Sequence, residues 1–326
     1  MNAPFSPTGL HQLGSEEYHA DTLAPRPSLS ATLAKLIIGQ SPLHAWTASP
    51  RLNPNWQPVE KRTFDIGRAA HRAALGRGGD YVAYPPELLG ANGAASTKAA
   101  KEWAEEQRAA GRVPLHAEDV DAVGAMADAI HAHLARAGIA LDPARSEIAA
   151  LAEIDGVWCR CQVDNAPDAP VMLPGLGARK VLIDLKTCEM ATPEACVRAV
   201  ESYSYDVQQA HYLDVWKAAT GEDREFIFAF VEKSAPHGVC IVHLLREPGH
   251  SGDWGQDAAE KAATARATWA ECLRTDVWPG YWPGVVQAGA NPYFRQRWQD
   301  QQNRAAMTRD ASPAAIRRAT AWQAPE

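Results

Sequence analysis

Two aspartates and one lysine stand at the ends of two apolar stretches that the sequence predicts to be strands. Asp184 and Lys186 directly follow the run Val181–Ile183 and flank one leucine, and Asp164 ends the preceding apolar stretch. Because side chains alternate faces along a strand, Asp184 and Lys186 point the same way while Leu185 points into the core. Charged groups are rarely placed at the end of a core strand without a partner or a task. This grouping suits a hard divalent cation beside a phosphate ester.

The chemistry that these residue types could perform is phosphodiester hydrolysis. Such a reaction needs a nucleophilic water, neutralisation of the charge that develops on phosphorus, and stabilisation of the leaving oxygen. Mg²⁺ held by carboxylates with open positions supplies all three, and Mn²⁺ can substitute for it. Asp164 and Asp184 are suitable ligands, and the main-chain carbonyl of Leu185 can add another. Lys186 can orient the attacking water or offset charge on the phosphate.

The elements that must position these residues change in kind near residue 140. Before it, apolar periodicity and capping residues predict helices over residues 30–38, 66–75, 97–110 and 117–137, the second capped by Asp65. After it, strands are predicted over residues 147–154, 157–164, 180–187, 225–232 and 238–245. Asp155-Gly156 predicts a two-residue hairpin turn, and residues 165–179 predict a Pro/Gly-rich loop. One long helix is predicted to about Thr220, capped by Thr192 with Pro193 at its first position, and another over residues 257–274. The fold class is therefore α/β, with a helical N-terminal elaboration.

The predicted domain organisation follows from the same pattern. Residues 1–26 are rich in Pro, Ser and Gly, which predicts a disordered arm. A single domain is expected over residues 27–284. Its parts are a helical region (27–144), a β-β-β-α-β-β core (145–246), and a helix with a turn (247–284). Residues 285–326 form a basic tail with six arginines against three acidic residues, which predicts either a solvated helix or a contact to nucleic acid or a partner.

Composition excludes several classes of protein. The chain of 326 residues has 46% hydrophobic and 22% charged residues, as soluble globular proteins do. The net charge of −7 disfavours a protein that coats DNA nonspecifically, although it leaves a nuclease open. No apolar run approaches the roughly 20 residues of a membrane span, and the N-terminus lacks a secretory pattern. Six cysteines in this length predict no disulfide framework, so a reducing cytoplasm is the expected compartment.

Four motifs in a fixed order resemble a known nuclease superfamily. Asp164, nineteen further residues and then Asp184-Leu-Lys resemble the PD-(D/E)XK signature. Gln208 and Tyr212, on the helix that follows, match the QxxxY motif of the RecB-like branch. Upstream, Gly67-Arg-Ala-Ala-His71 resembles the GxxxH motif of that branch. Between about residues 28 and 245, the sequence is similar to the catalytic domain of RecE-type exonuclease (exodeoxyribonuclease VIII).

The resemblance implies a restriction-endonuclease-like core, in which helices flank a mixed central sheet. It implies that Asp164 and Asp184 bind Mg²⁺, joined by the Leu185 carbonyl, and that His71 reaches the metal. Lys186 would serve the attacking water, and the remaining pair, Gln208 and Tyr212, would support the site or the DNA end. Glu147 stands where relatives often carry an acidic residue, and the sequence leaves open whether it is a further ligand.

The resemblance also implies an activity and partners. Members of the family degrade one strand of duplex DNA from its 5′ end in phage-type recombination. They work with a single-strand annealing protein of RecT-like kind, and processive relatives form ring-shaped homo-oligomers. Membrane association is not expected.

Two alternatives stay open, and other cofactors lack support. The chain could be a nuclease for single strands, flaps or internal sites, or it could be a DNA-end-binding module without turnover. Only Cys240 and Cys272 follow the Gln208–Tyr212 helix, which disfavours an iron–sulfur cluster. His131 and His133 are two residues apart on a predicted helix, which splays their rings and disfavours a shared zinc. No zinc-protease, serine-hydrolase or P-loop motif is present.

Overall fold

A computed structural model describes residues 7–57, 62–76 and 81–310 of the chain. The chain divides into two compact units, Met1–Tyr281 and Trp282–Glu326. This boundary falls three residues before the predicted one. Within the described residues, no helix combines the length and the apolar character needed to cross a bilayer.

Helices and short strands alternate in the first half of the first unit, and longer strands dominate its second half. The described helices of this unit are α1 (Ser15–Ala20), α2 (Ala31–Gly39), α3 (Pro42–Ala48), α4 (Arg62–Leu75), α5 (Lys98–Ala109), α6 (Ala117–Arg136), α7 (Pro193–Tyr203), α8 (Tyr205–Thr220) and α9 (Gly255–Thr275). Its described strands are β1 (Gly9–Gln12), β2 (Leu29–Ser30), β3 (Tyr81–Ala83), β4 (Val113–Leu115), β5 (Ser146–Ile154), β6 (Val157–Asn165), β7 (Val171–Leu173), β8 (Gly177–Arg179), β9 (Val181–Cys188), β10 (Glu225–Glu232) and β11 (Val239–His243).

A mixed sheet forms the centre of the first unit. In the described part of the chain it has seven strands in the order β1-β5-β6-β9-β10-β11, and β2 pairs with β6. The pair β9–β10 is parallel, as is the pair β2–β6, and the other neighbours are antiparallel. A parallel pair requires a crossover, which α7 and α8 supply between β9 and β10. The predicted α/β class, with a central mixed sheet flanked by helices, is confirmed.

Each face of the sheet has its own core. On β10, Phe226, Phe228 and Phe230 pack on one face with residues of α2, α8 and α9. Between them Ile227 and Ala229 point to the opposite face, where α4 and α6 lie. This alternation is what the period of two along a strand dictates when both faces are covered. The catalytic candidates on β9, beside β10, are therefore held on a rigid, doubly covered strand.

Several local predictions are confirmed because short-range chemistry determines them. Asp155 and Gly156 connect β5 to β6 with φ of 53° and 78°, the positive values that a two-residue hairpin turn requires. The helix predicted over residues 97–110 is α5, and the Thr97 hydroxyl accepts from the Ala100 amide at its start. Thr192 likewise caps α7, with Pro193 in its first turn.

Four local predictions are wrong. The expected disordered arm (1–26) instead contains β1, which pairs with β5, and α1, while residues 1–6 lie outside the described residues. The predicted helix 192–220 is broken into two helices at Ser204, which has a φ of 50° and lies between α7 and α8. Helix α4 begins at Arg62, so Asp65 lies inside it. The predicted loop between Asn165 and Arg179 contains the hairpin β7–β8.

A buried polar cluster joins the N-terminal segment to the sheet. The Arg160 guanidinium on β6 lies 3.0 Å from an Asp21 carboxylate oxygen and donates to the Ser28 carbonyl at 2.7 Å. Asp21 also accepts from the Ser28 amide at 2.8 Å. Both charged side chains are almost fully buried. This cluster explains why the segment before β2 is ordered rather than a mobile arm.

Helix α8 carries His211 in a site that excludes the charged imidazole. The ring is fully buried, its Nε2 donates to the Arg160 carbonyl at 3.1 Å, and its Nδ1 has no partner among the described residues. Burial lowers the pKa of His211 from 6.5 to about 4.

We therefore expect acid to destabilise the protein through His211. The unfolded chain takes up the proton near pH 6.5 and the folded chain near pH 4, so stability that is present above pH 6.5 is lost between those values. The difference corresponds to about 3 kcal/mol when both forms are protonated. Urea unfolding at a series of pH values checks this for the wild type and for His211→Gln. Parallel curves for the two proteins would contradict the assignment.

The second unit contains α10 (Pro292–Asp310), which lies within the predicted basic tail, and residues 285–291 precede it without regular structure. Its aromatic side chains Tyr293, Phe294 and Trp298 are exposed. Arg317 and Arg318, two of the six arginines of the tail, lie outside the described residues.

Candidate active site

The candidate site lies where β6 and β9 separate. These antiparallel strands pair at Asn165 and Ile183, and beyond that pair β2 takes the place of β9 beside β6. Asp164 and Asp184 are the next residues on the two strands, so they occupy facing positions at the fork. A fork between strands leaves backbone and side-chain oxygens without ladder partners, which is where a ligand can be held.

Asp164 is fixed by the backbone of β9. Its Oδ2 accepts from the Leu185 amide at 2.6 Å, and its Oδ1 accepts no hydrogen bond from any described residue. The side chain is 17% exposed. Burial raises the pKa of Asp164 to about 6, with His71 opposing the rise and the Asp184 carboxylate adding to it. A cation bound beside Asp164 would therefore stabilise its ionised form.

Asp184 is more deeply buried and is held from two sides. Its Oδ1 accepts from the Gln208 amide at 2.5 Å, and its Oδ2 forms an ion pair with the Lys186 ammonium. That Oδ2 has no hydrogen bond of ordinary geometry although it is excluded from solvent. The side chain is only 4% exposed. A buried negative charge is costly unless a cation compensates it, so the carboxylate requires either the ammonium or a metal ion.

Lys186 places its ammonium between the carboxylates and an aromatic ring. Its Nζ lies 4.8 Å from the centroid of Tyr205, the first residue of α8. Burial alone would lower the pKa of Lys186, but Asp184, Tyr205 and Asp164 together raise it above its ordinary value. The ammonium therefore stays charged near neutral pH and can act on an anion rather than as a base.

His71 reaches the site from α4, on the other side of the fork. Its Nδ1 lies 3.5 Å from Asp164 Oδ2, and its side chain is 29% exposed. Helix α4 approaches β9 closely at Gly67, where an added Cβ would lie 3.4 Å from the Thr187 hydroxyl. The space beside Gly67 is therefore filled by the strand, and the approach of α4 is what brings His71 to Asp164.

Within the described part of the chain, Tyr212 and Glu147 make no hydrogen bond or ion pair with the other predicted site residues, although the charges of Asp184 and Asp164 both act on Tyr212. Tyr212 packs edge-on against Phe226 in the core, and no hydrogen bond joins it to a described residue. Tyr212 lies one helical turn after Gln208. Its partner Phe226 is opposite Leu182 in the β9–β10 register, whereas Gln208 bonds to Asp184, two residues further along β9.

Glu147 lies opposite Asp164 in the β5–β6 register, but its φ of 52° interrupts the ladder there. It makes no hydrogen bond or ion pair with a described residue. Among the described residues, Glu147 therefore makes no contact that assigns it to the site, and its part as a further ligand stays a prediction. Among residues 7–57, 62–76 and 81–310, no three His, Cys, Asp or Glu side chains are arranged to hold a metal ion.

The residues present nevertheless fit a magnesium site of the usual sparse kind. Mg²⁺ is commonly bound through one or two carboxylates, with water and substrate oxygens completing its shell. Asp164 and Asp184 offer hard oxygen ligands, and the buried Asp184 Oδ2 has no hydrogen-bond donor of ordinary geometry. The Leu185 carbonyl belongs to the residue after Asp184, whose amide already donates to Asp164. These three groups would hold the ion, and His71, 3.5 Å from Asp164, is the further ligand that the resemblance implies.

Two side chains beside the site were not predicted from the sequence. The Tyr205 ring packs against Phe228 and faces the ammonium of Lys186. Lys35 on α2 places its Nζ 5.2 Å from the same ring centroid. Burial and then the nearby Lys186 lower the pKa of Lys35 to about 8. No spacing links Lys35 to the motifs, since it joins the site only through the packing of α2 on α8.

A match to a family model agrees with this fold. Residues 38–290 match the family described as "PDDEXK-like domain of unknown function (DUF3799)". A comparison with curated proteins finds no match.

Two solved structures are similar at low identity. A candidate exonuclease from Eubacterium rectale is 15% identical with a TM-score of 0.49, over 86% of this chain and 97% of that chain. A phage-related exonuclease from Haemophilus somnus 129PT is 14% identical with a TM-score of 0.28, over 64% of this chain and 95% of that chain. Because the family match spans most of the sequence and the sheet agrees with it, the chain belongs to the PDDEXK-like family DUF3799, within the PD-(D/E)XK nuclease superfamily.

Proposed function

We propose that the protein is a Mg²⁺-dependent deoxyribonuclease that degrades duplex DNA from its ends, in the 5′-to-3′ direction. The observation that carries the hydrolytic part is the fork between β6 and β9, where Asp164, Asp184 and Lys186 meet. Membership of the PDDEXK-like family supports the same chemistry. The resemblance to RecE-type exonuclease supports the choice of duplex ends and the direction.

The chain's own residues would divide the work of hydrolysis. Mg²⁺, when bound, lowers the pKa of water and offsets charge on the phosphate. Asp164 and Asp184 would hold it, while the Leu185 amide and Gln208 keep the two carboxylates in position. The Lys186 ammonium orients the attacking water or balances the charge that develops on phosphorus. A site that is prearranged in this way needs little reorganisation during the reaction.

Digestion of end-labelled linear duplex and of closed circular duplex with Mg²⁺ tests this proposal. We expect the linear molecule to be degraded while the circle stays intact, because an exonuclease needs an end. Label on the 5′ end should be released early, and label on the 3′ end of the same strand late. Cleavage of circle and line at equal rates would instead indicate an endonuclease, and release of 3′ label first would reverse the direction.

The same resemblance supports two proposals about partners. One is a ring-shaped homo-oligomer that encloses DNA, and the other is a single-strand annealing protein that receives the product strand in phage-type recombination in the bacterial cytoplasm. Molar mass from light scattering tests the first, with monomer at working concentration as the contrary result. Failure of a RecT-like annealing protein to bind the enzyme would count against the second.

A further inference from the structure

A second ammonium lies beside the catalytic cluster and has no role in it. Lys35 projects from α2 toward the start of α8, where its Nζ lies 5.2 Å from the Tyr205 ring centroid. Lys186 Nζ lies 4.8 Å from the same centroid. Both ammonium groups therefore lie near the same aromatic ring. Each is attracted to the ring, but the two positive charges repel each other.

None of the three carboxylates near the ring forms an ion pair with Lys35. Asp184 is paired with Lys186, Asp206 is paired with Lys261 at 2.6 Å, and Asp164 lies against His71. Within the described part of the chain, Lys35 makes no hydrogen bond or ion pair. A half-buried ammonium without an anionic partner is costly unless a ligand supplies the anion.

The position of Lys35 also suits an extended anion. The Lys186 ammonium is already paired with Asp184. An anion that contacts both lysines would therefore lie at the edge of the carboxylate cluster. In a nucleic acid the phosphates follow one another along the strand. When one phosphate is at the carboxylates, a neighbouring phosphate of that strand is available to a cation at the rim.

We propose that Lys35 is a phosphate-binding residue that holds a phosphate of the nucleic acid strand next to the one being hydrolysed. The Tyr205 ring keeps the ammonium in place beside Lys186. This inference rests on the proposed function, because it assumes that a nucleic acid strand enters the fork. It assigns Lys35 to substrate positioning, and the hydrolytic step stays with the carboxylates and Lys186.

The test is the salt dependence of DNA binding, measured with labelled duplex in Ca²⁺ so that binding is separated from hydrolysis. Lys35→Met keeps an apolar stem of similar length and removes the charge. We expect its dissociation constant to rise roughly tenfold, since a charged hydrogen bond is lost. The slope of log affinity against log salt should become shallower by about 0.7 to 0.9, as the loss of one phosphate contact predicts.

Control variants distinguish the loss of a positive charge at position 35 from the loss of any one positive charge of the protein. Lys98→Met removes an 89% exposed lysine of α5 and should leave both the affinity and the slope unchanged. Lys35→Arg should restore most of the binding. In hydrolysis, Lys35→Met should raise KM more than it lowers kcat. Duplexes with 5′-phosphate and with 5′-hydroxyl ends identify whether the bound phosphate is terminal or internal, and either supports the proposal.

Two results would overturn it. One is a Lys35→Met protein with wild-type affinity and slope. The other is a protein whose kcat falls while affinity and slope stay unchanged, because Lys35 would then act only on Lys186 or Tyr205. If Lys35→Met does not fold, judged by its melting curve, Lys35→Gln is measured in its place. Wild-type protein that hydrolyses no DNA would defeat the proposed function but not this site, since binding in Ca²⁺ is scored separately.

Discussion

Asp164→Asn is expected to slow phosphodiester hydrolysis by roughly a thousandfold or more, while the protein folds as the wild type does. The asparagine oxygen can still accept from the Leu185 amide, so the fork keeps its hydrogen bond. The substitution removes the negative charge that a divalent ion needs, and metal-assisted charge stabilisation contributes several kcal/mol to such reactions. Single-turnover digestion of linear duplex at saturating Mg²⁺ measures the effect.

The stability of the same variant provides an internal check. Burial raises the pKa of Asp164 to about 6, against 3.8 for the free side chain. The carboxyl therefore contributes stability below pH 3.8 that is lost as the pH rises through 6, and a neutral asparagine escapes this loss. In metal-free buffer above pH 7, Asp164→Asn should be at least as stable as the wild type.

A nearby aspartate serves as the matched control for activity. Asp168 is four residues further along the chain and pairs with Arg145 and Arg224 rather than with the site. Asp168→Asn should therefore keep its hydrolytic rate within a few-fold of the wild type. Equal activity of the wild type and Asp164→Asn, or equal loss in Asp164→Asn and Asp168→Asn, would contradict the assignment of Asp164.

Arg160→Met is expected to destabilise the first unit by roughly 3–5 kcal/mol, because it leaves the Asp21 carboxylate buried without its cation. Asp21 and Arg160 are both almost fully buried, and the guanidinium also satisfies the carbonyl and hydroxyl of Ser28. A loss of this size is a large part of the stability of a typical domain. Urea unfolding of the wild type and the variant measures it.

An exposed ion pair supplies the comparison. Arg26 pairs with Glu153 at 3.2 Å, but the two side chains are 64% and 43% exposed. Arg26→Met should therefore cost at most about 1 kcal/mol. The double variant with Asp21→Ala and Arg160→Met should recover part of the loss, because it removes the stranded charge. If both arginine variants cost the same small amount, the buried pair does not hold the N-terminal segment.

The parts of the fold that could be predicted from sequence are those that local chemistry determines. The apolar run over residues 225–232 becomes β10 with the predicted bounds, because both faces of that strand are covered. The Asp155-Gly156 turn and the Thr192 cap follow from side-chain preferences within a few residues. Likewise, Asp184 and Lys186 lie on one face of β9 because side chains alternate along any strand, so their common orientation could be predicted once the strand was recognised.

The errors arise where distant contacts decide. Strand β1 is four residues long and exists because β5 offers it an edge, which no local pattern reveals. Ser204 breaks the helix with a positive φ that is unusual for serine, and neither Gly nor Pro marks the position. Lys35 reaches the site only through the packing of two helices.

The most direct test of the central claim is the rate of hydrolysis of linear duplex DNA as Mg²⁺ is added to metal-free wild-type protein. The arrangement of Asp164 and Asp184 predicts no hydrolysis in EDTA, a saturable rise with Mg²⁺, and no rise in the Asp164→Asn protein at the same metal concentrations. Hydrolysis in EDTA at the rate seen with Mg²⁺, or no hydrolysis by the wild type at any Mg²⁺ or Mn²⁺ concentration, would contradict it.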